Sequence, residues 1–184
     1  MRRLALGLVL IAAVLACGPS PATPDSTSTS CTGPCASAWT TDGLFVLELA
    51  LPRLDWKADE PISGTSTLTY RGPAPTNVYG SGSILNFAYA EVGGTRRVDP
   101  VWTADCATHA IGPATPISVE LGKSGGVSDT DPNAPFLRSF LFSPDVRLPA
   151  GTWDVTALAD FMQGGSCEGG AHAMKATVRL TVTD

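Results

Sequence analysis

From residue 44 onward, apolar residues recur at every second position along most of the chain, the period of a strand with one buried face. In Leu44–Leu51, the side chains of Phe45, Leu47, Leu49 and Leu51 share one face. Ile62–Tyr70 follows, with Leu68 and Tyr70 inward among serines and threonines, residues that suit a half-buried pleat. Val78–Glu91 carries Ile84, Leu85, Phe87 and Tyr89, and Gly80 and Gly82 predict a bulge or an irregular entry. Arg97–Trp102, Pro116–Leu121 and Phe136–Phe142 are shorter candidates, the last with Phe136, Phe140 and Phe142 on one parity. Thr152–Phe161 sets Trp153, Val155, Ala157, Ala159 and Phe161 against Asp154, Thr156 and Asp160. Ala173–Thr183 alternates Met174, Ala176, Val178, Leu180 and Val182 with Lys175, Thr177, Arg179 and Thr181. Gly and Pro punctuate the gaps, and no long helical period is present. About eight short strands so spaced predict an all-β fold, an antiparallel immunoglobulin-like β-sandwich.

The amino end breaks this pattern. Arg2 and Arg3 precede an apolar run from Leu4 to Leu15, closed by the small residue Ala16. That is the layout of an export signal, and about 13 apolar residues fall short of the ~20 that span a bilayer. The residues Val14-Leu15-Ala16-Cys17 resemble the lipobox of bacterial lipoproteins. The resemblance implies loss of residues 1–16 and a diacylglycerol on Cys17, whose two chains suffice for anchoring where one does not. The alternative is an ordinary signal peptide in which the cysteine is accidental. Residues 18–30, GPSPATPDSTSTS, have too little apolar surface to offset the entropy of ordering. Residues 17–37 are therefore expected to be the lipidated cysteine and a disordered tether, and 38–184 the folded domain.

The chain carries 12 basic and 17 acidic residues, a net charge of −5, and losing Arg2 and Arg3 would move this to −7. A spread acidic surface excludes nucleic acid as the expected partner, because phosphate binding needs a basic stripe. The expected partners are the membrane, through the lipid, and a protein or other ligand of the cell envelope. With Cys17 acylated, four of the five cysteines remain: Cys31, Cys35, Cys106 and Cys167. Outside the cytoplasm such cysteines pair, in one of three connectivities. Gly33-Pro34 can turn CTGPC back on itself, which favours Cys31 with Cys35 and leaves Cys106 for Cys167.

Asp59-Glu60-Pro61-Ile62, a Thr-rich strand, Gly80-Ser81-Gly82-Ser83 with Phe87, Val101-Trp102 and Leu148-Pro149-Ala150-Gly151 follow one another along the chain. This order resembles the small Ig-like domain of the BsuPI-type intracellular proteinase inhibitors over roughly residues 43 to 162. The resemblance implies the sandwich and, as an alternative function, inhibition of a proteinase through a sandwich loop. The shared motifs are mostly turns, and no inhibitory residue is carried over.

The two histidines each follow a long-range cysteine, His109 in DCATH and His172 in CEGGAH. Reduced, Cys106, His109, Cys167 and His172 would make a zinc or copper site, the envelope metal-binding alternative. Oxidised, the cysteines form a structural bridge and the histidines are loop residues, or act with Asp105 and Glu168 as ligands. Asp129-Thr130-Asp131-Pro132-Asn133 has the spacing that begins a calcium loop, but Ala134 replaces the needed Gly and Phe140 the closing Glu. No G-x-S-x-G elbow is present and no catalytic residue or cofactor is nominated. Trp39, Trp102 and Trp153 are expected in packing roles. Trp56, in the polar run DWKADE, is the candidate contact for a partner. The expected role is non-catalytic binding or scaffolding at the envelope.

Overall fold

The computed structural model describes Thr29–Ser30 and residues 36–184. The expectations for Cys17, for a Cys31–Cys35 bridge and for the leader lie outside those residues. The architecture is an all-β sandwich of two packed sheets. The first has the order β1 (Thr29–Ser30), β2 (Ala36–Thr41), β3 (Phe45–Leu51), β5 (Thr65–Tyr70), β10 (Ile117–Glu120). The second runs β4 (Asp55–Lys57), β12 (Gly170–Thr183), β11 (Gly151–Gln163), β6 (Thr76–Gly80), β9 (Ala107–Ile111), with β7 (Leu85–Glu91) also on β11 and β8 (Arg97–Val98) on β7. All pairings are antiparallel except β4 with β12.

The alternation read from the sequence is what builds the core. Phe45, Leu47, Leu49 and Leu51 of β3 face Val155, Ala157 and Phe161 of β11 and Val178, Leu180 and Val182 of β12, all buried in one cluster. β11 and β12 are zipped from Gly151↔Val182 to Gln163↔Gly170 and form the centre of the second sheet.

Among the described residues twelve strands replace the expected eight. Thr29–Ser30, Ala36–Thr41, Asp55–Lys57 and Ala107–Ile111 were not predicted, and Val78–Glu91 is two strands, β6 and β7. Phe136–Phe142, expected as a strand, lies in a helix, α1 (Ala134–Phe142). The physical reason is its spacing: Ala134, Leu137 and Phe140 are buried three residues apart, which a strand's parity cannot achieve. Pro135 pre-sets the first turn, and Ser143, extended before Pro144, ends the last one. The helix closes one end of the sandwich, with Phe136 5.7 Å from the Trp153 ring and Phe140 5.0 Å from that of Tyr89. Among the described residues no helix is long and apolar enough to cross a membrane.

Trp56 corrects the expectation of an exposed contact. It is 4% exposed, the inward middle residue of β4, opposite Val182. Its Nε1–H donates to the Arg53 carbonyl at 3.2 Å, and the Arg53 guanidinium covers the ring at 4.0 Å. Asp55 and Lys57 made the segment read as a turn, yet they are the exposed flanks of a three-residue strand.

Candidate functional site

The end of the sandwich away from α1 concentrates the irregular backbone. β6 and β7 pair with the same side of β11, through Tyr79↔Met162 and then Leu85↔Ala159. Residues 80–84 therefore stand opposite only Asp160 and Phe161, and Gly80-Ser81-Gly82-Ser83 loops out as a wide bulge. The predicted bulge is present, and it is larger than one residue. A Cβ on Gly80 would sit 3.1 Å from the Asp160 carbonyl, so glycine there eases the close strand approach.

The bulge is pinned to the segment that precedes β9. Ser81 Oγ lies 2.7 Å from Thr103 Oγ1 and accepts the Thr103 N–H at 3.0 Å. Gly82 N–H donates to Thr103 Oγ1 at 3.2 Å and to Asp105 Oδ1 at 3.3 Å. His109 Nε2 lies 2.9 Å from the Ser81 carbonyl, to which it donates. The Thr103 hydroxyl and then the Gly82 N–H hold the Asp105 carboxyl below the ordinary carboxylate range. Further back, Ser124 Oγ accepts the Val101 N–H at 3.2 Å and donates to the Val101 carbonyl at 3.1 Å. The segment between these anchors belongs to no strand; Val101 is 55% exposed and Trp102 half-buried.

Cys106 and Cys167 form a disulfide, Cα to Cα 5.9 Å, across 61 residues. It ties the end of this segment to the β11–β12 turn and closes a loop that the chain-entropy model values at about 4 kcal/mol. The favoured pairing of Cys106 with Cys167 is thus the one observed. The alternative Cys2His2 site is corrected on two counts. Both sulfurs are consumed by the bridge, and the histidines have separate partners. His109 stands opposite Val78, which lies beside Gln163, whereas His172 stands opposite Phe161. Two strands thus intervene between the histidines, about 14 Å at the usual strand spacing. Glu168 is exposed in the β11–β12 turn, and among the described residues no three His, Cys, Asp or Glu side chains converge.

His172 instead joins the two sheets. Its Nδ1 lies 2.6 Å from Asp42 Oδ2 in the β2–β3 turn, and its ring stacks on Phe161 at 5.0 Å and meets Phe45 at 4.9 Å. Burial pushes the Asp42 carboxyl up, but the Phe45 N–H, His172 and the Leu44 N–H outweigh it and hold the group low. The calcium-like run has a local role: Asp131 Oδ1 accepts the Asn133 N–H at 2.7 Å, Asp129 pairs with Arg138, and Asn133 Nδ2 donates to the Thr95 carbonyl at 3.0 Å. These contacts fix the start of α1.

Two concavities matter. A cavity of about 230 Å³ lies beneath the bulge and bridge, lined by Tyr79, Trp102, Asp160, Met162, Cys106 and Cys167 among others. A groove of about 830 Å³ lies at the α1 end, between Leu51, Pro61, Ile62 and Lys123. Its lysine is committed: Nζ donates to the carbonyls of Phe140 (2.9 Å), Asp145 (3.1 Å) and Ser143, and to Ser143 Oγ at 2.9 Å. Burial lowers the Lys123 pKa, against the pull of Asp145.

The motifs that carried the family resemblance fall into two groups. Gly80, Ser81 and Trp102 line one cavity at the disulfide end, while Val101 bonds to Ser124. Ile62 and the Leu148–Gly151 turn lie at the other end, where Ile62 N–H donates to the Val146 carbonyl (2.8 Å) and Trp153 Nε1–H to that of Pro149 (2.9 Å). No family model matches the chain, and no curated protein matches it either.

Proposed function

We propose that this protein is a non-catalytic binding or scaffolding module, exported and held at a bacterial cell envelope by lipid on Cys17, whose contact surface is the disulfide end of the sandwich. The observation that carries the reading is pre-organisation: an exposed segment, Pro100–Asp105, is fixed by Ser124, by the bulge and by the bridge before any partner arrives. Rigid loops on a rigid frame lose little entropy on binding. The charged leader, the residues around Cys17 and the apolar-poor stretch after it support the lipid anchor.

Two measurements test this. Mass spectrometry of the membrane-extracted protein is expected to find residues 1–16 removed and Cys17 diacylated; an intact leader overturns the anchoring. Capture from envelope extract is expected to fail for Val101→Asp and persist for Phe142→Asp, which alters a still more exposed apolar residue, on α1. Equal capture by both variants overturns the assignment of the surface.

Proteinase inhibition is the second reading, and one observation favours it beyond the resemblance. The Pro100–Asp105 segment is an immobilised stretch outside any strand with a branched apolar side chain, Val101, projecting from it, as a cleft reading an extended substrate requires. A panel of serine proteases assayed with the intact protein and with Val101→Asp decides: unchanged rates throughout remove this reading.

A further inference from the structure

We propose that the cavity beside the Cys106–Cys167 bridge binds a small organic ammonium group. The inference rests on the binding role assigned above to this end of the molecule and names the chemistry of its ligand.

The cavity exists because the bulge lifts residues 80–84 off β11 and leaves Asp160 and Phe161 without the usual strand cover on that side. Tyr79, paired with Met162 in the sheet, lines it together with Met162, Trp102 and the bridge. Aromatic side chains within about 6 Å of a cation attract it, most of all when it is partly desolvated. The lining adds two acidic residues, Asp105 and Asp160. Neither takes part in an ion pair among the described residues, whereas Arg53, Arg96, Arg97, Arg138, Arg147 and Arg179 are each engaged with another acid. Among the described residues no Lys or Arg lines the cavity, and His109, which acts on Asp105, is directed at the Ser81 carbonyl. The site is thus aromatic, anionic and without an internal cation. Its volume of about 230 Å³ lies below the range of drug-sized sites, roughly 300–1,000 Å³, and suits an ammonium head rather than a large ligand.

The test is a calorimetric titration of the intact protein with choline, and with 3,3-dimethylbutan-1-ol, which has the same shape without the charge. Choline is expected to bind saturably and about tenfold more tightly than the neutral isostere. Trp102→Ala and Asp160→Asn are each expected to weaken choline about fivefold while melting temperature is kept, and Trp102→Phe to recover part of the loss. Equal affinity for the two probes, no saturable choline binding, or unchanged affinity in both Trp102→Ala and Asp160→Asn overturns the proposal. Glycerophosphocholine separates the sources: if it binds more tightly than choline, the ligand is a lipid headgroup; if less, a soluble amine. Either result supports the site. A protein that ignores choline yet loses envelope capture on Val101→Asp keeps its binding role and loses only this ligand.

Discussion

Trp56 and Phe142 invert what their neighbourhoods suggest. The tryptophan sits between two charges and is buried at 4%, while the phenylalanine ends an apolar run and is 82% exposed. Burial alone predicts their effects. Trp56→Ala removes a large side chain from the core and should cost about 3–5 kcal/mol in urea unfolding. Phe142→Ala should change stability by less than about 0.5 kcal/mol, the usual range for a surface site. Ser66 offers the opposite sign. It is 0% exposed on β5, and its hydroxyl has no hydrogen-bond partner. An unpaired buried hydroxyl costs about 1–3 kcal/mol, so Ser66→Ala should stabilise the protein by about 1 kcal/mol. A lowered midpoint in the same unfolding experiment would mean that the hydroxyl is satisfied.

Long alternating runs were legible because periodicity accumulates with length. β3, β11 and β12 carry four or more inward apolar residues each, and the structure places them as read. β4 and β9 each bury one residue, Trp56 and Ile111, so no period stands out against Asp55, Lys57 or His109. The run APFLRSFLF satisfied a two-residue parity at Phe136, Phe140 and Phe142 only by placing Arg138 on the same face, and that conflict was the signal for a helix. The bulge was legible from Gly80 and Gly82, but its partner segment was not. Ser81, Thr103 and Asp105 are ordinary polar residues whose meeting depends on the fold of two distant loops. The bridge that secures that meeting is an element in its own right. Replacing Cys106 and Cys167 together by Ser should cost about 4 kcal/mol in denaturant unfolding. It should also abolish capture through the Val101 surface before the sandwich itself melts. Retained capture in the double variant would show that hydrogen bonds alone hold the segment.

Across the whole molecule, acids with depressed pKa values set the response to pH. An arginine hydrogen bond comes first for two of them, from Arg53 to Glu60 and from Arg96 to Glu91; hydroxyl and backbone donors do the same for Asp105. Asp42 joins them despite its burial. Each of these groups binds a proton more readily in the unfolded chain. Their stabilisation is therefore complete above the unfolded carboxylate range of about 4 and is lost as pH falls through the lower folded values. Melting temperature should be level from pH 7 to about 5 and drop steeply below about 4. A profile that rises on acidification would contradict the pairings. The order of elements has a different consequence. β11 and β12, the two longest strands, are made last and form the axis to which β4, β6 and β7 attach. Folding must wait for contacts distant in sequence, which slows it. Until residues 151–183 are in place, the buried face of β3 lacks the central strands of the sheet it packs against.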